Sequence, residues 1–134
     1  MDTVLARLSD IATDLGDLYR DLHAHPELSN AETRTAAEIA RRLTALGAEV
    51  TEGVGGTGVV GVLRNDAGPT VLLRADMDAL PVAEQTGLPY ASTVRGLDPD
   101  GNDVPVMHAC GHDMHVTCLL GALDLLAAGR SAWT

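Results

Sequence analysis

The chain of 134 residues has no phenylalanine and no lysine, and aromatic residues make up only 2% of it. Without Phe, any core must be aliphatic, built from Leu, Val, Ile and Ala. The nine basic residues are all arginine and face 19 Asp and Glu, for a net charge of −10. A surface this acidic repels phosphate backbones and anionic lipid, and no Arg stripe offsets it. Nucleic-acid binding and membrane association are therefore set aside. No apolar run reaches the roughly 18 residues that a bilayer span requires. The start, Met1-Asp2-Thr3-Val4, lacks the basic and apolar stretches of a signal peptide, so a cytoplasmic protein is expected. Cysteine is also scarce: Cys110 and Cys118 only. A reducing compartment and the His-rich setting of Cys110 argue against a disulfide. Cys118, among Val116, Leu119 and Leu120, reads as a small buried hydrophobe.

Hydrophobic residues make up 46% of the chain, enough for one domain with a real core. Val4, Leu5, Leu8, Ile11, Leu15, Leu18 and Leu22 recur at intervals of three and four, which predicts an amphipathic helix over 3–24, ended near Pro26. Ser29 and Glu32 have capping-box spacing and predict a second helix to about Leu46, closed by Gly47. Short strands are expected at 48–52 and 59–64, with the glycines of 53–58 as a plain turn. Those glycines open no helix, which the dinucleotide and phosphate-loop motifs require. Thr70 to Ala75 is nearly continuous apolar sequence, as in a strand buried on both faces and hairpin-paired with 59–64. Residues 82–105 read as a long irregular excursion of the kind that is often functional. A helical period returns from His112 and closes at Gly129. Helices and strands together predict an α/β fold.

The densest chemistry lies in Met107-His108-Ala109-Cys110-Gly111-His112-Asp113-Met114-His115. Three imidazoles, a thiol and a carboxylate crowd together there, as good metal donors seldom do without a metal or a reaction to serve. Gly111 frees the backbone between Cys110 and His112, so both can turn towards one ion. A thiolate with an imidazole suits Zn²⁺, Co²⁺ or Mn²⁺. Asp113 is placed to fix an imidazole by hydrogen bond. Asp76 and Asp78 close the apolar run, at the kind of strand end where open α/β sheets bind ligands. His23 and His25, near a helix C-terminus, read as cations complementing the helix dipole. A catalytic thiol paired with a histidine and a purely structural cluster both remain open on the residues alone.

The runs Leu72-Leu73-Arg74-Ala75-Asp76-Met77-Asp78-Ala79-Leu80-Pro81 and Met107-His108-Ala109-Cys110-Gly111-His112-Asp113 resemble the metal-dependent amidohydrolases that include hippurate hydrolases and indole-acetyl-amino-acid hydrolases, within the co-catalytic zinc peptidases. Further matches are His23-Ala24-His25-Pro26-Glu27-Leu28, Gly56-Thr57-Gly58-Val59-Val60 and Thr86-Gly87-Leu88-Pro89-Tyr90-Ala91-Ser92. The resemblance implies a three-layer α/β sandwich with a central mixed sheet, of which residues 1–134 are the N-terminal part. It implies Cys110 and His112 as ligands of a site for two divalent ions, Zn, Mn or Co. Asp78 and Asp113 would orient that site, and Asp76 stands where the wider group often has a histidine ligand. The general-base Glu, the remaining ligands and a dimerisation domain would lie outside these residues, so they alone should not be competent. Glu84, the nearest Glu after the aspartates, is not expected to act as base. The implied reaction is hydrolysis of the amide bond of small N-acyl amino acids by a homo-oligomeric enzyme. The alternative is a non-catalytic metal-binding or assembly module with the same ligands and no open water position.

Overall fold

The computed structural model describes residues 2–134, with side chains from residue 4 onward. The expected first helix is divided into α1 (Asp2–Leu5) and α2 (Leu8–Ala24). The break at Ala6-Arg7 lets α1 turn onto the far end of the last helix. Val4 lies so close to Gly129 there that a Cβ on the glycine would come within 3.1 Å of Val4 Cγ2.

α3 runs Thr33–Ala45 and is capped differently from expectation. The Glu27 carboxylate accepts hydrogen bonds from the backbone N–H groups of Arg34 (2.9 Å) and Thr35 (2.7 Å), two free donors of the first turn. Ser29 instead donates to Asp78, and Glu32 is buried and accepts from Thr57 Oγ1 at 2.5 Å. A carboxylate from before the turn does what the nearer hydroxyl was expected to do. The C-terminus is as read: Gly47 has φ +77°, and the N–H groups of Gly47 and Ala48 reach back to the carbonyls of Thr44 and Leu43.

β1 (Glu49–Val54) and β2 (Gly58–Val62) form an antiparallel hairpin with partners from Glu49–Val62 to Val54–Gly58, so the glycine stretch is the turn. A Cβ built on Gly58 would stand 2.3 Å from the Val54 carbonyl oxygen. Gly58→Ala should therefore destabilise the chain by about 1–3 kcal/mol, the usual cost of overpacking. Urea unfolding measures it, and an unchanged midpoint would mean that the hairpin end yields freely.

Residues 70–75 depart from expectation. They form no strand, and Val71 and Leu72 are 75% and 87% exposed. A strand buried on both faces needs neighbours to pair its backbone and cover its side chains. Among the described residues nothing pairs with this segment, and β2 pairs with β1 instead. Its end does enter the core: Ala75 and Met77 pack against Leu18 and Leu22 of α2, Leu43 of α3, and Val116 and Leu120 of α4 (His112–Ala128). The excursion at 82–105 is mostly irregular and holds one small hairpin, β3 (Arg95–Leu97) with β4 (Asp103–Pro105). On α4, Cys118 is exposed, not buried, because Val116, Thr117, Leu120 and Gly121 form the face turned to α2 and α3. Both cysteines are free thiols. Helices and antiparallel ladders give the expected α/β class.

Two backbone bridges bring the chemistry together. Leu28 pairs with Ala79, and Leu80 pairs with Met107 through N–H···O bonds of 2.9 and 3.0 Å. Asp78 is thereby set beside the turn that leads into α4.

Candidate metal centre

His108-Ala109-Cys110-Gly111 is that turn. Gly111 takes φ +76°, and its Cβ position faces open space, so the left-handed backbone there is set by conformation and not by crowding. It re-aims the chain so that His112 opens α4 while Cys110 stays exposed.

His112 is held from behind. Its Nδ1 lies 2.9 Å from both the carbonyl oxygen and the Oδ1 of Asp78. Both are acceptors, so Nδ1 donates, which fixes the ring and leaves the Nε2 lone pair for another partner. Carboxylates commonly orient metal-binding imidazoles in this way. The Ser29 hydroxyl beside Asp78 holds its carboxyl below the usual range; partial burial opposes this, and the hydrogen bond from His112 adds to the lowering. Asp78 thus stays ionised behind His112. Asp76 faces elsewhere, paired with Arg74 on the exposed segment.

Asp113 does fix an imidazole, but that of His23. His23 Nδ1 is 2.6 Å from Asp113 Oδ2, and its Nε2 is 3.0 Å from Glu84 Oε1. All three side chains are nearly sealed, at 7%, 2% and 0% exposure for His23, Asp113 and Glu84. Carboxyl oxygens at both ring nitrogens favour the form in which both nitrogens donate, the imidazolium. Burial alone would push its pKa down, yet the hydrogen bonds to Glu84 and Asp113 outweigh it and the pKa is raised. For Glu84 burial acts upward, and the bonds from Thr86, Ser92 N–H and His23 win, leaving it lowered. Tyr19 and Tyr90 close over the ring, with centroids 5.6 and 5.5 Å from His23.

His108 is also buried, and neither ring nitrogen has a hydrogen-bond partner among the described residues. Burial lowers its pKa, so it is neutral. His115 stacks loosely on His112 at 5.6 Å. Among the described residues no group of three or more His, Cys, Asp or Glu is arranged to hold a metal ion. What is present is a pair: an exposed thiol, and an imidazole with one nitrogen free and the other anchored. That donor set fits a divalent ion of the Zn²⁺ and Co²⁺ kind.

The sequence reading missed His23 and Glu84. His23 had been read as a dipole partner, which describes His25 better: it is half-exposed and bonds Asp21 O at 2.7 Å. The usable signal was position. His23 lies four residues after Tyr19 and directly after Leu22, on the buried stripe of α2. Glu84 carried no such signal, since it lies in irregular chain.

Residues 72–133 match the model of peptidase family M20/M25/M40. A thermostable carboxypeptidase of Saccharolobus solfataricus is 50% identical over 115 residues, 84% of this chain and 27% of that protein. Hippurate hydrolase of Campylobacter jejuni is 41% identical over 126 residues, 93% of this chain and 30% of that one. A putative glutamate–cysteine ligase of Rhodococcus jostii is 50% identical over 107 residues, 80% of this chain but only 12% of its own length. The crystal structure of a Bacillus subtilis protein described as a dinuclear metal-binding peptidase of the M20 family superposes with TM-score 0.79 at 39% identity, over 92% of this chain and 33% of that one. The chain thus spans less than a third of the curated relatives it matches. No helix among the described residues is long and apolar enough to cross a membrane. Residues 72–133 thus carry the likeness to peptidase family M20/M25/M40 in sequence, and nearly the whole chain shares the fold of an M20-family structure.

Proposed function

We propose that these residues are the N-terminal, metal-bearing part of a cytoplasmic, homo-oligomeric amidohydrolase that cleaves the amide bond of small N-acyl amino acids. The observation that carries the reading is His112, whose Nδ1 is anchored on Asp78 so that Nε2 is left for another partner, two residues along the chain from the exposed Cys110. Cys110 and His112 would hold metal. A pair of divalent ions supplies, when bound, an acidified water and a Lewis acid for the scissile carbonyl. Asp78 keeps the His112 ring in the tautomer that can coordinate, and Ser29 keeps Asp78 ionised. Asp113 orients the first turn of α4, accepting from the N–H of Met114 at 2.8 Å as well as from His23. The general base and the other ligands belong to sequence outside residues 1–134, in keeping with the two donors found here. The names of the hippurate hydrolase and carboxypeptidase relatives support the substrate class.

The test uses the full-length protein that contains these residues. Chelation should abolish hydrolysis of benzoyl- and acetyl-amino acids, and Zn²⁺, Mn²⁺ or Co²⁺ should restore it. Turnover that survives chelation and is lost on thiol alkylation would overturn the reading in favour of a cysteine catalyst.

A further inference from the structure

The geometry points to a polar brace, His23–Glu84–Ser92, buried at His23 and half-buried at Ser92, that grips the metal-binding turn at both ends and acts as its positioning device. The inference rests on the metal reading of Cys110 and His112.

At one end of the turn, His23 donates to Asp113, the residue after His112. Through its other nitrogen it donates to Glu84. Glu84 organises the excursion, accepting from Thr86 Oγ1 and, at 2.6 Å, from the backbone N–H of Ser92. Ser92 then reaches the other end. Its hydroxyl donates to the Val106 carbonyl at 2.7 Å and accepts from the Val94 N–H at 3.2 Å. Val106 leads into Met107, which is locked to Leu80 by paired backbone bonds. Residues 106 and 113 are thus both fastened to one hydrogen-bonded chain, and Cys110-Gly111-His112 lies between them.

Such fastening is needed because of Gly111. A glycine at φ +76° with open space around its Cβ position is not held by packing. Left alone it would sample many conformations and separate the thiol from the imidazole. The brace removes that freedom from outside the turn, without contributing a ligand. His23 is therefore a positioning residue, and the long irregular excursion carries Glu84 and Ser92 to the places where the brace needs them.

The experiment uses metal-free full-length protein titrated with Co²⁺, whose thiolate charge-transfer absorption reports the Cys110 bond. The variants are His23→Gln, Ser92→Ala and Ser92→Thr, with Cys110→Ala as reference. Circular dichroism confirms that each is folded. Loss of the orienting partners of metal ligands typically costs about 10–100-fold in metal affinity. His23→Gln should fall in that range. Ser92→Ala should lose about 10-fold, its lower end, and Ser92→Thr, which keeps the hydroxyl, should recover it. Substrate KM should stay unchanged while kcat falls. A structural role alone would lower the melting temperature and leave Co²⁺ affinity intact.

Hydrogen exchange of the metal-free protein gives a second readout. The amides of Val106, Met107 and His115 should exchange faster in Ser92→Ala and His23→Gln. If Cys110→Ala shows the same Co²⁺ spectrum as the parent, the metal reading has failed, and exchange alone decides the brace. Folded brace variants with parental Co²⁺ affinity, or with parental exchange at these three amides, would overturn the inference.

Discussion

Cys110→Ala and His112→Ala should each strip metal and hydrolytic turnover from the full-length protein together. The size of the effect follows from what each change removes. Losing a group that only orients a ligand costs about 10–100-fold, so losing a ligand should cost at least that. The two variants should differ in a telling way. Cys110 is exposed, and its removal leaves the surrounding fold untouched. His112→Ala also strands the Asp78 carboxylate, which then keeps, among the described residues, Ser29 as its side-chain partner. His112→Ala should therefore lose stability as well as metal, while Cys110→Ala should melt like the metal-free parent. Asp78→Asn, which keeps the Asp78 carbonyl as acceptor for Nδ1, should have the smallest effect of the three. Elemental analysis of the purified proteins and turnover of an N-acyl amino acid measure both quantities. Full metal content in Cys110→Ala would show that the thiol is no ligand.

How much of this was legible in the sequence depended on whether the signal was local. The helices are periodic, and their boundaries fell close to expectation, because an amphipathic stripe and a Gly47 cap are properties of adjacent residues. The Gly53–Gly58 turn was legible for the same reason. The segment 70–75 was not, because a buried strand is defined by what lies beside it. An apolar run such as Val71-Leu72-Leu73 states a need for partners and cannot say whether they are present. At the site, the motif made Cys110 and His112 visible, and the resemblance gave Asp78 as an orienting carboxylate without naming the imidazole it meets, which is that of His112. Asp113 is expected to fix an imidazole, with no partner named by the sequence. It accepts from His23, 90 residues away in sequence, and no spacing rule connects the two. Capping shows the same limit on a smaller scale. Ser29 fits the capping box, but Asp78, brought close only by the fold, competes for its hydroxyl and wins.

His23→Ala should be the most destabilising single change in the described core. The side chain stands between two carboxylates that are almost wholly sealed from water. Removing it leaves Glu84 and Asp113 as buried like charges with their shared donor gone. Breaking a buried ion pair from one side costs about 3–5 kcal/mol, well above the cost of an exposed pair. Arg95–Asp103, exposed on the small hairpin, is the comparison, and Arg95→Ala should change stability by no more than about 1 kcal/mol. The pH dependence follows from the directions of the shifts. The folded pKa of His23 lies above its ordinary 6.5, so its contribution is complete below 6.5 and is lost as pH rises through the raised value. The folded pKa of Glu84 lies below its ordinary 4.5, so its contribution is present above 4.5 and is lost as pH falls through the lowered value. The stability gap between parent and His23→Ala should therefore be widest from 4.5 to 6.5 and narrow on both sides. The other groups around the ring do not reverse this. Burial raises the pKa of Tyr19, which stays neutral across that window, and burial lowers that of His108, which opposes its taking a charge beside the ring. Urea unfolding of both proteins from about pH 4 to 9 reads the gap directly, with the lower and upper limits set by the ordinary carboxylate and histidine ranges. His23→Gln, able to donate to only one carboxylate at a time, should fall between the two. A gap that keeps growing above pH 8 would mean that His23 is neutral in the fold, and that one of its two carboxylates holds a proton instead.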